Sequence, residues 1–463
     1  MMIGQLITEV VEERMGGERG WMETSQAELC VVADALWLRE EQRLEAARTD
    51  AARIIVDGEP YRRMPQPSSR LYHGRWGAHR IEEPLYRREG VRNGPTLRPL
   101  DRVIGVVDGS LLPELALALG SLCAVQTSRE VEETLTRLGF RPPSRATIQK
   151  RTDGLFDDMA TTVRELEQEV RVEEKLDFEL GAVSCGLDRF AVAMDEELPD
   201  GPERDAKLVA RQKRAYERTP PEPYEQNWRM AWAGNVTLYD TEGVARRSLR
   251  YGTDAGDESH RLAARMTDDI LHLVDERRDI PVAIIQDGAA ELAVLPQAVR
   301  ERLPEGVPRW QLVDFHHAIG YLDAIVTARD DGDPYDMRRA YRGWLLNDDD
   351  GAQRVVRHLR HEAAKPDLEP ALAETIDAAL TYFERRRPLM KYKAARDEGL
   401  PIASGTTEST CGLYQLRVKH PGSHWRPPGL RGVMTARGLM LSGRFDAAFE
   451  AHYATLLAEV RVA

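Results

Sequence analysis

Between Gly181 and Asp330 the chain switches repeatedly between two hydrophobic periods, and this alternation narrows the available folds more than any other feature. GAVSCGLDRFAVAMDE, WRMAWAGNVTLYD and GVARRSLRYG read as strands, the last two joined by the turn Thr241-Glu242-Gly243. A charged excursion from Glu196 to Gln226 separates the first two. ESHRLAARMTDDILHLVDER then has helical spacing, IPVAIIQDGA is a short buried strand, and AELAVLPQAVRERL is a helix. VPRWQLVDF is a further strand and HHAIGYLDAIVTARD a further helix. The order is β-β-β-α-β-α-β-α, which predicts an α/β fold with a mixed sheet covered by helices. In that arrangement the first and fourth strands are neighbours at the centre of the sheet.

The flanking sequence divides the rest. At 463 residues the chain is about three average domains long. Residues 1–75 are rich in Glu, Ala, Leu and Arg at helical spacing and form a helical N-terminal region suited to dimerisation. Residues 76–180 begin within a hairpin signal, RLYHGRWGAHRIEEPLYRR. They continue as helices over LLPELALALGSLCAV, SREVEETLTRLGF and SRATIQKRTDGLFDDM, with Ser128 and Ser144 as expected caps. The last two have the outline of a helix-turn-helix DNA reader or of a plain packing unit; VRELEQEVRVEEKLDFEL is a helical connector. Residues 181–330 are the first part of the core, 331–400 an all-helical insertion, and 401–463 the C-terminal part of the core.

Composition removes several classes. No run approaches the roughly 20 apolar residues of a membrane-crossing helix. The opening MMIGQLITEVVEERMGG turns acidic too soon for a secretory signal. Cys30, Cys123, Cys185 and Cys411 are widely spaced, without a CxxC pair, so neither a disulfide framework nor a cysteine zinc site is expected, and the expected location is cytoplasmic. The net charge of −13 opposes long-range attraction to nucleic acid, yet Thr381–Arg444 holds nine Arg and three Lys against four acids. That local excess suits phosphate contact or simply a solvated face.

Three acids fall where chemistry is plausible. Asp188 lies within the first strand and Asp287 at the end of the fourth, so the two carboxylates are expected to face one another. Two ionised carboxylates side by side favour a hard cation between them, Mg²⁺ or Mn²⁺. Taken singly, each acid is equally explained as a turn or helix cap. Glu408 follows Gly405 and Thr406 in the first turn of a helix that carries Arg417, with Lys419 just beyond; the helix dipole alone accounts for an acid there. Asp314, His316 and His317 open a helix directly after a strand, either as metal ligands or as an N-cap with a supporting histidine.

Together SCGLDRFAVAM, IIQDGA, QLVDFHHAIGYL, GLPIASGTTEST and LRVKHPGSHW resemble the motif series of bacterial insertion-sequence transposases. The nearest resemblance is to the Kra-type family within the Mutator-like group of DDE transposases. It spans Gly181 to Trp425 by motif, and Trp76 to Thr152 more loosely, with intervals of 99 residues from Asp188 to Asp287 and 121 from Asp287 to Glu408. The resemblance implies a ribonuclease-H-like core interrupted by the helical insertion. It implies a catalytic and metal-binding triad of Asp188, Asp287 and Glu408 holding two Mg²⁺ or Mn²⁺ ions, with Asp314 and His317 in support. Arg417, Lys419, Arg385, Arg386 and Trp425 would contact phosphate. The implied partner is double-stranded DNA, both element ends and target, handled by a homodimer or larger assembly. This sequence departs from the family in placing Arg189, rather than Gly, after the first acid. It also lacks paired cysteines in the N-terminal hairpin and carries HPGSHW in place of a more basic stretch.

The expected reaction is metal-dependent DNA cleavage and strand transfer. The departures favour the alternative of a domesticated, catalytically weak or inactive DNA-binding regulator on the same fold. A glycosidase using two of these acids is a third class, disfavoured by the basic helix.

Overall fold

A computed structural model of the chain describes residues 21–213, 224–254, 256, 259–329, 334–366 and 368–463. Expectations for residues 1–20, and for the 214–223 part of the charged excursion, lie outside the described residues. The chain is mixed α/β. It separates into two compact units, one of residues up to Val170 with Thr435–Ala463, the other Arg171–Met434.

The first unit opens with helix α1 (Trp21–Ala47). An antiparallel sheet follows, of β1 (Arg53–Val56), β2 (Glu59–Gly74), β3 (Gly77–Arg88) and β4 (Thr96–Leu97), with Val460–Val462 paired to β1. β2 and β3 form the expected hairpin, closed at Gly74 and Gly77, with a register shift between Arg63 and Pro67. Pro65 falls in that shift, where its missing N–H leaves no ladder bond unmade. The turn at 75–76 means that the expected boundary between residues 75 and 76 divides one hairpin. Residues 435–463, expected with the core, group with this unit because Val460–Val462 completes its sheet.

Helices α2 (Pro99–Ile104), α3 (Pro113–Cys123), α4 (Ser128–Arg137) and α5 (Arg145–Thr161) supply the expected helical cluster, followed by α6 (Val163–Glu173) as the connector. α4 is capped by Thr127, whose side chain accepts from the Glu130 N–H while Glu130 caps back. Ser128, the expected cap, is instead its first helical residue: the capping box needs Thr and Glu three apart. Ser144 caps α5 as expected, accepting from the Thr147 N–H.

The second unit is built on a five-stranded sheet. β5 (Leu180–Glu197) is followed by helix α7 (Pro202–Lys213), β6 (Tyr224–Asp240), β7 (Ala245–Thr253), α8 (Ser259–Val274) and β8 (Val282–Gln286). Next come α9 (Val294–Arg302), β9 (Arg309–Val313) and α10 (Phe315–Ala328). The strand order is β7-β6-β5-β8-β9, with β5, β8 and β9 mutually parallel and β6 and β7 antiparallel to their neighbours. The first and fourth strands of this unit, β5 and β8, are therefore adjacent at the centre, as the element order predicts.

Alternation along β5 splits the core. Val183, Cys185 and Leu187 join Leu262, Met266 and Ile270 of α8 and Leu295 of the α9 layer on one face. Ala182, Ala283, Ile285 and Leu312 pack on the other face with Ala395 and Leu400. The expected insertion is helical: α11 (Pro334–Asn347), α12 (Gly351–Ala363), α13 (Pro370–Arg386) and α14 (Tyr392–Asp397). Its buried Tyr341, Val355, Leu359, Ile376 and Phe383 form a core with Ile319, Leu322 and Ile325 of α10. α15 (Gly405–Val418) and α16 (Pro427–Leu441) follow. Among the described residues no helix is long and apolar enough to cross a membrane.

Candidate functional site

The register of the two central strands places the aspartates. Val183–Cys185 of β5 pair in parallel with Val282–Ile284 of β8. Asp188 lies within β5 three residues beyond Cys185, and Asp287 lies three beyond Ile284, one residue past the end of β8, close enough for its charge to act on Asp188. Asp188 is partly buried, and its carboxyl is held above the usual carboxylate range by burial and further by the charge of Asp287. The Arg189 N–H, donated to Asp188 Oδ1 at 2.7 Å, opposes that rise without cancelling it.

Helix α15 reaches this pair because Gly186 leaves room for it. A Cβ at Gly186 would collide with Thr407 Oγ1 and lie 2.8 Å from the Ile285 carbonyl oxygen. Thr407 donates to Asn235 Oδ1 at 2.7 Å, and Asn235 donates to Thr237 Oγ1 at 3.0 Å, a buried network that fixes the first turn of α15 on β6. Glu408 is the next residue and is exposed. One turn on, Cys411 directs its thiol to Asp188 Oδ2 at 3.8 Å. Burial pushes the Cys411 thiol well up, reinforced by the negative charges of Asp188 and Glu408. Cys411 thus lies in electrostatic reach of two of the three acids. Its place three residues after Glu408, on the same helical face, is the signal by which the sequence displays it.

Asp188 and Asp287 therefore lie near one another, and the helix that carries Glu408 packs on the Asp188 face of the sheet. The three acids do not close into a cage: among the described residues no group of three or more His, Cys, Asp or Glu is gathered to hold a metal ion. The donor chemistry, oxygen atoms from two carboxylates held against their own repulsion, fits a hard divalent cation. Glu408 stands exposed on α15, and its charge acts on Cys411 rather than on either aspartate.

Arg189, which follows the first acid, is turned away by strand alternation. Its guanidinium pairs with Glu291 and lies 5.8 Å from the Trp232 ring centroid. Asp314 follows the N-cap alternative. Buried at 2% exposure, it accepts from the His317 N–H through Oδ1 and from the Ser404 N–H through Oδ2. It thereby ties the start of α10 to the loop that enters α15. His317 is exposed, its ring 5.7 Å from those of Tyr321 and Tyr382; His316 is exposed against Phe315.

The cations expected to contact phosphate are unequally available. Arg417 is buried at 6% exposure with its guanidinium over the Trp425 ring at 5.3 Å, so it faces the protein. Trp425 is part of a strap: its N–H donates to the Ala193 carbonyl at 3.1 Å, its carbonyl accepts from Asp195 N–H at 2.8 Å, and its indole N–H donates to the Val418 carbonyl. Lys419 is exposed and lies over Phe190, two residues along β5 from Asp188 and on its face. Arg385 is exposed. Arg386 is half-buried and donates to the Gly288 carbonyl at 2.8 Å beside Asp287, while Tyr382 donates to the Asp287 carbonyl at 3.3 Å. These two contacts from the insertion join residues 95 and more apart, and sequence reasoning missed them.

No protein-family model, curated protein or solved structure matches this chain.

Proposed function

We propose that the chain is a transposase-like enzyme that cleaves and rejoins DNA strands by metal-dependent phosphoryl transfer on a ribonuclease-H-like core, acting in the cytoplasm. The observation that carries this reading is that Asp188 on β5 and Asp287 just past the end of the parallel neighbour β8 lie close enough to interact, with the Glu408 helix laid over Gly186. The order β7-β6-β5-β8-β9 supports the core assignment, and the motif resemblance supports the DDE class.

In this reading Asp188, Asp287 and Glu408 hold two Mg²⁺ or Mn²⁺ ions. When bound, such ions generate a nucleophile at neutral pH and stabilise the leaving oxygen. The chain's own residues bind and orient. Asp188 is fixed by the Arg189 N–H and the Cys411 thiol, Asp314 holds the entry to the Glu408 helix, and Lys419 offers a cation on the Asp188 face for a backbone phosphate. Arg385 is a second exposed phosphate contact. Helices α4 and α5 serve to read double-stranded DNA at an element end, and joining two ends to a target calls for at least a homodimer.

The test is a gel shift on candidate end sequences followed by cleavage with Mg²⁺ or Mn²⁺. Wild type is expected to bind and nick, and Asp287→Ala to bind without nicking. Nicking at the wild-type rate by Asp287→Ala would overturn the assignment. Binding with no cleavage by wild type would instead favour the regulator reading.

A further inference from the structure

We infer that Tyr382 and Arg386, one turn apart on α13, form a clamp that sets the position of the Asp287 carboxylate, making the helical insertion a working part of the site. The inference rests on the reading of Asp287 as a metal-binding acid. Two successive carbonyls of the turn are held from the same helix: Tyr382 Oη donates to Asp287 O at 3.3 Å and Arg386 Nη2 to Gly288 O at 2.8 Å. The pair is itself coupled, because the Arg386 guanidinium stacks 4.6 Å from the centroid of the Tyr382 ring. Arg386 approaches so closely that a Cβ at Gly288 would lie 2.6 Å from its Nε, and Gly288 has φ +83°.

Holding the backbone holds the carboxylate. Asp287 Oδ1 accepts from the Ala289 N–H at 2.8 Å, so the side chain is locked to the turn that the clamp grips. The contacts continue beyond the clamp. The Tyr382 ring stacks on Tyr321 of α10 at 4.1 Å, and α10 is capped by Asp314, which holds Ser404 ahead of the Glu408 helix. One run of contacts therefore links the Asp287 turn to the entry of α15. Arg386 is a positioning residue, spent on a carbonyl, while its neighbour Arg385 remains exposed.

The test uses the full chain with Arg386→Gln, Arg386→Lys and the milder Tyr382→Phe, which removes only the hydroxyl. Three quantities are read: amide hydrogen exchange over residues 287–291, the Mn²⁺ concentration at half-maximal nicking, and DNA affinity as a function of salt. The clamp predicts about tenfold faster exchange in Arg386→Gln, as expected for one lost charge-assisted hydrogen bond. It predicts a several-fold rise in the Mn²⁺ requirement, partial recovery with Lys, and unchanged DNA affinity and salt slope. Unchanged exchange over 287–291 in both Arg386→Gln and Tyr382→Phe overturns the inference. So does a salt slope reduced by about one with the Mn²⁺ requirement unchanged, which marks Arg386 as a phosphate contact. If wild type fails to nick, the proposed function fails, while hydrogen exchange still decides the clamp.

Discussion

Replacing Asp314 by Asn tests whether one buried carboxylate organises the approach of Glu408. Asp314 is 2% exposed, and each of its oxygens accepts a backbone N–H, one from His317 and one from Ser404. Its own N–H donates to the Gln286 carbonyl at 2.7 Å and the next N–H to the Ile402 carbonyl at 3.0 Å, so the backbone here is fixed from several sides. Asparagine keeps the shape but offers a single acceptor oxygen. Whichever way the amide turns, one part-buried N–H loses its partner and meets an NH₂ group. A hydrogen bond to a charged group contributes about 1.5–3 kcal/mol. Loss of one should thus lower the local opening free energy at the α15 entry by about 2 kcal/mol, or roughly 30-fold in exchange rate. The assay is native-state hydrogen exchange, read at the Ser404 amide and across the first turn of α15. Amides of Val355–Leu359 in the insertion core provide the internal control. Less than twofold acceleration at Ser404, with the control unchanged, would refute the claim that Asp314 ties the two helix starts together.

Other outcomes follow from the same geometry. Because burial and Asp287 raise the Asp188 carboxyl, ionising it costs native stability. That cost is absent below the ordinary carboxylate pKa and grows as pH rises through the raised value. Asp188→Asn should accordingly be more stable than wild type at pH 7 in urea titrations and indistinguishable near pH 3, while equal stability at pH 7 would contradict the account. Cys30 is exposed, whereas Cys123, Cys185 and Cys411 are buried, with the Cys185 thiol pushed up to about 12. A thiol reagent at pH 8 should therefore modify one cysteine quickly and the other three only on unfolding. Gly186→Ala should cost about 1–3 kcal/mol through overpacking against Thr407. Adding Thr407→Ala should cost less than the two single changes predict, since they share one clash; strict additivity in urea denaturation would count against that contact.

The sheet and its central pair are legible in the sequence because each rests on local pattern. The alternation in SCGLDRFAVAM and the compact run VAIIQ fix strand identity, and their order among the helices makes them neighbours. Asp314 as an N-cap is likewise a local property. What stays hidden depends on distant packing. Nothing near Arg386 reveals that it meets Gly288, 98 residues away. Arg417 has the spacing of a phosphate contact, but the strap formed by Trp425 buries it. α7 escapes notice within the charged excursion because none of its residues is buried, leaving no apolar stripe to read. Thr127 outcompetes Ser128 as cap because Glu130 is three residues from the threonine.

The central claim, that Asp188, Asp287 and Glu408 act as one divalent-cation site, is tested most directly by Mn²⁺ binding to the full chain followed by electron paramagnetic resonance. Wild type should bind, and Asp188→Asn, Asp287→Asn and Glu408→Gln should each weaken that binding severalfold while leaving the far-ultraviolet circular dichroism unchanged. Wild type that binds no Mn²⁺, or three variants that all bind as wild type does, would contradict it.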